Sequence, residues 1–179
     1  MKKLAILIVL ALELAVSGCG SSKNTSTETN TSTSGFWETQ LIGGTQQASL
    51  LNFTVSFSVV NSGPLDITGI SFFNQGACFA TTLNSTTETG NASFTTASNG
   101  VVTGTLDLTV NSVTPRGNVL TLTGNLTGTS SASAGVAGTL SNGVVTGTWQ
   151  LAGGQGDPSC GNQQGTFLMC QGKNTCTPP

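Results

Sequence analysis

Few side chains in this sequence can do chemistry. There is no histidine and no tyrosine. That removes Ser-His-Asp and Cys-His arrangements and the commonest general base near neutral pH. Five carboxylates lie beyond residue 35: Glu38, Asp66, Glu88, Asp107 and Asp157. Two of them facing each other across a cleft would be the machinery of glycoside hydrolysis. Each also has a structural reading. Asp107 alternates outward on a predicted strand. Asp66 and Asp157 adjoin turn signals, where Asp bonds its own backbone. Glu88 falls in a Thr-rich predicted loop, and Glu38 points away from Trp37. The glycines sit between predicted strands, so no Gly-rich strand-to-helix element is present to cradle phosphate. The sequence therefore nominates no catalytic residue, no metal ligand and no cofactor, and the expectation is a protein that is not an enzyme.

The cysteines are Cys19, Cys78, Cys160, Cys170 and Cys176. No Cys-X-X-Cys occurs, and the spacings fit neither zinc ribbons nor thioredoxin-type redox pairs. Setting aside Cys19 leaves four, which allow three pairings. Loop chemistry favours Cys78–Cys160 and Cys170–Cys176. Cys160 lies in the turn-rich run Asp157-Pro158-Ser159-Cys160-Gly161 and can staple to a distant strand carrying Cys78. Cys170 and Cys176 flank Gly172-Lys173-Asn174, a tight loop that would lock down the C-terminal tail.

The elements that position these groups are strands. Phe53, Val55, Phe57 and Val59 alternate with Thr54, Ser56 and Ser58. Leu106, Leu108 and Val110 alternate with Thr105, Asp107 and Thr109. The same holds for Leu120, Leu122, Gly124 and Leu126, and for Val145, Gly147, Trp149 and Leu151. Period two with threonine on one side describes half-buried strands. Asn-Gly, Ser-Gly-Pro and Pro-Arg-Gly between them read as turns. The run Asn99-Gly-Val-Val-Thr-Gly-Thr-Leu-Asp-Leu108 recurs as Asn142-Gly-Val-Val-Thr-Gly-Thr-Trp-Gln-Leu151. It predicts two equivalent hairpins, each opened by a type I′ Asn-Gly turn, with Gly104 and Gly147 inward where a barrel bends. The fold class expected is all-β: one antiparallel meander closed as a small, disulfide-stapled β-barrel, with a β-sandwich as the alternative.

Composition sets the surroundings. Only 7% of residues are charged, against roughly 25% in typical soluble domains. The acidic balance leaves no basic patch for nucleic acid. The chain opens Met1-Lys2-Lys3, followed by an apolar run from Leu4 to Leu12 and small residues at Ser17 and Gly18. These are the parts of a secretory signal, and the run is shorter than the ~20 residues that span a bilayer. Glu13 departs from that pattern, since it sits inside the apolar region, where a charge weakens the signal. From Gly20 to Ser34 the chain is almost wholly Ser, Thr, Asn, Glu and Lys, the composition of a disordered spacer. The organisation expected is a signal peptide over 1–18, an anchor and spacer over 19–34, and a β-domain with a C-terminal tail over 35–179. Asn-X-Ser/Thr triplets at Asn24, Asn30, Asn52, Asn84, Asn91 and Asn125 follow from the Asn- and Thr-rich composition.

Val16-Ser17-Gly18-Cys19 resembles the lipobox of bacterial lipoproteins. The resemblance implies cleavage before Cys19, a diacylglycerol thioether on its sulfur and acylation of its new amino terminus, such as by palmitate. Two or more acyl chains anchor a protein stably, where one binds only marginally. The resemblance thus implies a protein held on the membrane of the bacterial cell envelope, and Gly20 in place of Asp suits the outer membrane. An exported domain is also one in which disulfides form. Gly35-Phe36-Trp37, and again Gly147-Thr148-Trp149, resemble the Gly-X-Trp of calycin barrels, the lipocalin and avidin group. That resemblance implies a tryptophan packed across a barrel floor, and makes Trp37 and Trp149 candidates for contact with a ligand. The strands also resemble those of Thr-Gly-Thr-rich envelope lipoproteins. Three functions follow as expectations. The first is a tethered, non-catalytic β-domain whose Thr, Ser and Asn faces contact an envelope protein or glycan. The second is a carrier of a small apolar ligand, with Phe72, Phe73 and Phe79 near the barrel mouth. The third is a glycan-acting hydrolase.

Overall fold

The computed structural model describes residues 29–44, 51–73, 78–80, 85–113, 117–153, 160–172 and 176. Cys19, the signal segment, Asp157 and the Pro115-Arg116 turn lie outside them. Nine strands form: β1 (Thr31–Ile42), β2 (Phe53–Val60), β3 (Ser62–Pro64), β4 (Asp66–Phe72), β5 (Thr86–Thr96), β6 (Val101–Ser112), β7 (Val119–Ser130), β8 (Gly138–Ala152) and β9 (Gln163–Gln171). Alternation of apolar with Thr, Ser and Asn residues makes β2, β6 and β7, with the apolar set facing in. All belong to one sheet in the order β3-β5-β6-β7-β8-β9-β1-β2-β4. Neighbours run antiparallel, except where Thr31 and Ser32 meet Gly138 and Thr139 in parallel.

The two edges of that order are consecutive in the chain. β3 pairs with β5 and β4 pairs with β2, so the sheet is a nearly closed barrel joined through Leu65. The Ser-Gly-Pro run read as a turn is therefore a short edge strand. Proline is tolerated there because an edge position needs no ladder donor. Further along, β4 and β5 are not paired. Near that gap Phe79 stacks on Phe72 at 4.6 Å, and the Asn118 side chain donates to the Cys78 carbonyl at 2.9 Å.

Alternate residues of the strands fill the interior. Trp37, Phe53, Val102, Leu106, Val110, Leu120, Leu126, Val145 and Leu151 have no measurable exposure. Trp37 stacks on Phe57 at 5.3 Å. Gly124 and Gly147 face each other across β7 and β8. A Cβ on Gly147 would strike the Thr123 carbonyl and Gly124 Cα, and one on Gly124 would come within 2.8 Å of the Phe167 ring. These glycines are where the barrel wall bends close to its own core, as the sequence repeat anticipates.

The repeat itself takes two forms. Asn99-Gly100 belongs to the β5–β6 hairpin, but Asn99 is not among the positive-φ residues, so the turn is not type I′. Ala97 and Gly100 close the loop with hydrogen bonds to Val101 and Ala97, and Gly100 has φ +81°. This is a three-residue loop with glycine in the left-handed region. Asn142-Gly143 makes no hairpin at all. It lies within β8, at φ +52° for Asn142, where the register against β7 shifts between Thr127 and Thr129. It is a β-bulge, which re-aims a strand. Before it β8 meets β1, and after it β8 pairs with β9. Gln171 satisfies the bulge, accepting from the Gly143 amide at 3.2 Å and donating to the Leu140 carbonyl at 3.1 Å.

Two further differences concern boundaries. β1 starts at Thr31, four residues inside the expected spacer, because Thr31 and Thr33 are buried on the inward face. Glu88 lies in β5, opposite Val110, rather than in a loop. Threonine supports a strand as readily as a loop, so a Thr-rich run does not distinguish them.

Candidate functional site

Both cysteine pairs form as the loop chemistry indicates: Cys78 with Cys160 and Cys170 with Cys176. The first ties the residues beside the β4–β5 gap to the connection entering β9. The second holds Cys176, which is buried, with its sulfur 3.5 Å from the Glu38 carbonyl oxygen.

Trp37 and Trp149 are core residues. Trp149 donates from its indole nitrogen to the Ile42 carbonyl at 3.1 Å. Trp37 lies beneath the bulge, with the tip of its indole against Gly143. Trp37, Trp149, Phe53, Phe57 and the leucines of β6 and β7 are buried in the barrel interior, where a carrier would hold its ligand. Of the apolar set near the mouth, Phe72 and Phe79 are buried and stacked, and Phe73 alone is exposed. The carboxylates are dispersed over the elements. Glu38 is on β1, Asp66 begins β4, Glu88 is on β5 and Asp107 is on the outer face of β6. Among the described residues no three His, Cys, Asp or Glu side chains form a group able to hold a metal ion.

The most regular polar surface is the outside of β5 to β9. Register aligns its residues into rows that cross the strands. One row is Thr89, Thr109, Thr121, Gln150 and Gln164; the next is Asn91, Asp107, Thr123, Thr148 and Thr166. A third is Ser93, Thr105, Asn125, Thr146 and Leu168. Neighbours in a row stand ~4.8 Å apart and rows ~6.8 Å apart, as sheet geometry requires. Some hydroxyls bond back to the adjacent strand, as Thr121 does to the Gln150 carbonyl at 3.3 Å. Asp107 is the one charge in the three rows.

Two shallow depressions lie on this face. One, of about 460 Å3, is lined by Thr121, Thr123, Thr148, Gln150, Gln164 and Gly165, with Trp149 beneath. The other, of about 440 Å3, shares Thr148 and continues over Asn125, Thr146, Thr166, Leu168 and Ile42. Together they form a neutral groove of hydroxyl and carboxamide groups ending on aliphatic side chains. It can offer hydrogen bonds in two directions. The outward parity of Thr148 and Gln150 beside Trp149 was readable in the sequence. The rows were not, because they depend on register between strands. Comparison of the chain with protein families, curated proteins and solved structures finds no match.

Proposed function

We propose that this chain is a lipid-anchored protein of the bacterial cell envelope whose barrel is a non-catalytic binding module. Val16-Ser17-Gly18-Cys19 supports the anchor. The observation that carries the binding role is the set of Thr, Asn and Gln rows outside β5 to β9. A face of closely spaced donors and acceptors with a single charge, Asp107, suits an uncharged, hydroxyl-rich polymer such as an envelope glycan. It lacks the positive charge that phosphate backbones require. The large buried side chains of the interior, Trp37, Trp149, Phe53 and Phe57, favour this outer face over a carrier's cavity as the contact surface.

Co-sedimentation with insoluble cell-wall polysaccharide tests the reading. Wild type should be retained, and Thr123→Glu/Thr148→Glu should lower retention about tenfold, as loss of ~1.4 kcal/mol would. Equal retention of both proteins, or passage of the wild type without retention, would remove the face from the account.

A further inference from the structure

One end of the barrel is built differently from its surroundings. Here Thr31 begins β1, and its hydroxyl lies 2.7 Å from both Thr96 Oγ1 and Ser130 Oγ. Asn61 donates its amide to the Thr31 carbonyl, Ser130 donates to the Gly100 carbonyl, and Gly138 donates to the Asn30 carbonyl. The start of β1, the β2–β3 corner, the β5–β6 turn and the β7–β8 connection are thereby tied together. Beyond this cap the β7–β8 connection projects as a small ladder, Ser133 paired with Val136, with Ala134, Gly135, Val136 and Ala137 all exposed.

This end carries no charged residue over 29–32, 59–64, 96–101 and 129–141. Its exposed side chains include Val60 (55%), Val101 (43%) and Val136 (58%). Exposed apolar residues also occur at the opposite end, at Ile42, Phe73 and Val113. What separates the two ends is the chain that leads to them. Thr31 is twelve residues after Cys19. Twelve residues reach at most ~40 Å when extended and about 20 Å as a flexible coil.

We infer that this end, through Val60, Val101 and the Ala134–Ala137 tip, rests on the lipid surface that holds the anchor. The inference rests on the reading of Cys19 as that anchor. Three half-exposed valines bind a bilayer weakly on their own. Tethering through Cys19 makes the contact intramolecular, so weak contact suffices. The described residues of this end carry no acidic group for an anionic leaflet to repel, and the nearest one in sequence is Glu28, next to Thr29 in the tether. Contact here would turn the outer rows of β5 to β9 sideways and the Cys78–Cys160 end away from the membrane.

The test uses the full-length lipidated protein in phosphatidylcholine vesicles whose acyl chains are brominated. Val136→Trp and Val113→Trp each add one surface indole, one at either end. In brominated relative to ordinary vesicles, the indole at position 136 should lose about half or more of its emission, as interfacial burial brings it near the acyl chains, and that at 113 should be unchanged. Unaltered emission at 136 while the protein floats with the vesicles would overturn the docking and leave the anchor standing. Quenching at 113 alone would mean that the other end faces the lipid. Failure of the wild type to float would overturn the anchor, and the docking with it.

Discussion

Strand β1 carries an unusual set of polar atoms into the core. Thr31 is satisfied by Thr96 and Ser130, whereas the hydroxyls of Thr33 and Thr39 are buried with no hydrogen-bond partner among the described residues. A buried hydroxyl without a partner costs free energy, and an apolar group of the same shape does not. Thr39→Val should therefore raise stability by about 1 kcal/mol, and Thr31→Val should lower it by about 1–2 kcal/mol. Urea unfolding of the two variants checks this, and the same sign for both would contradict it. The tryptophans differ in the same way. The Trp149 indole donates to Ile42, and that of Trp37 has no partner among the described residues. Replacement by phenylalanine removes similar volume from each. Trp149→Phe should cost about 1 kcal/mol more than Trp37→Phe, and equal losses would mean that the Trp149 hydrogen bond contributes nothing.

At the scale of elements, the repeated decapeptide shows what a sequence can and cannot specify. The strand half, Val-Val-Thr-Gly-Thr, is read correctly in both copies, because its alternation and its inward glycine are local properties. The Asn-Gly half is not. Before Asn99, β5 has ended and the chain is free to reverse. Before Asn142, residues 138–141 are already paired with β7 and β1, so the same dipeptide makes a bulge. Tertiary pairing decides between the outcomes. The same reason hides β3 within a turn signal, and β1's first residues within a spacer composition. The cysteine pairs were legible because one joins a tight loop and only one partner set remains. The outer groove was legible only as parity, since its rows require register. Two predictions belong here. Gly147→Ala places a methyl against the β7 backbone, which cannot give way as a side chain can. It should destabilise by about 1–3 kcal/mol or more, and thermal unfolding at wild-type temperature would refute the close approach. Asn142→Ala, at φ +52°, should cost about 1–2 kcal/mol, and a neutral result would show that the bulge does not need a residue tolerant of that conformation.

For the molecule as a whole, closure is incomplete and a staple compensates. β4 and β5 part beyond Leu65, and the Cys78–Cys160 bond fixes the residues beside the gap over a separation of 82. By chain entropy such a closure contributes about 4–5 kcal/mol, against about 2 kcal/mol for the separation of 6 in Cys170–Cys176. Cys78→Ala/Cys160→Ala should therefore lower the urea midpoint well below that of Cys170→Ala/Cys176→Ala. The reverse order would place the weak point of the barrel at its tail. With so few charges, the outside depends on Thr, Asn and Gln for its solubility. The same scarcity of charge is what the proposed polymer-binding groove and the proposed lipid-facing end have in common. Both roles presuppose that the barrel is held at a membrane.

Flotation of membranes from cells expressing the full chain or its Cys19→Ser variant tests that presupposition most directly, with intact mass read on the floated protein. The account predicts that wild type floats with a mass consistent with cleavage before Cys19, one diacylglyceryl group and one further acyl chain. It predicts that the variant is recovered free of membrane with both disulfides formed and the same unfolding temperature. Equal flotation of the two proteins, or a wild-type mass without lipid, would contradict it.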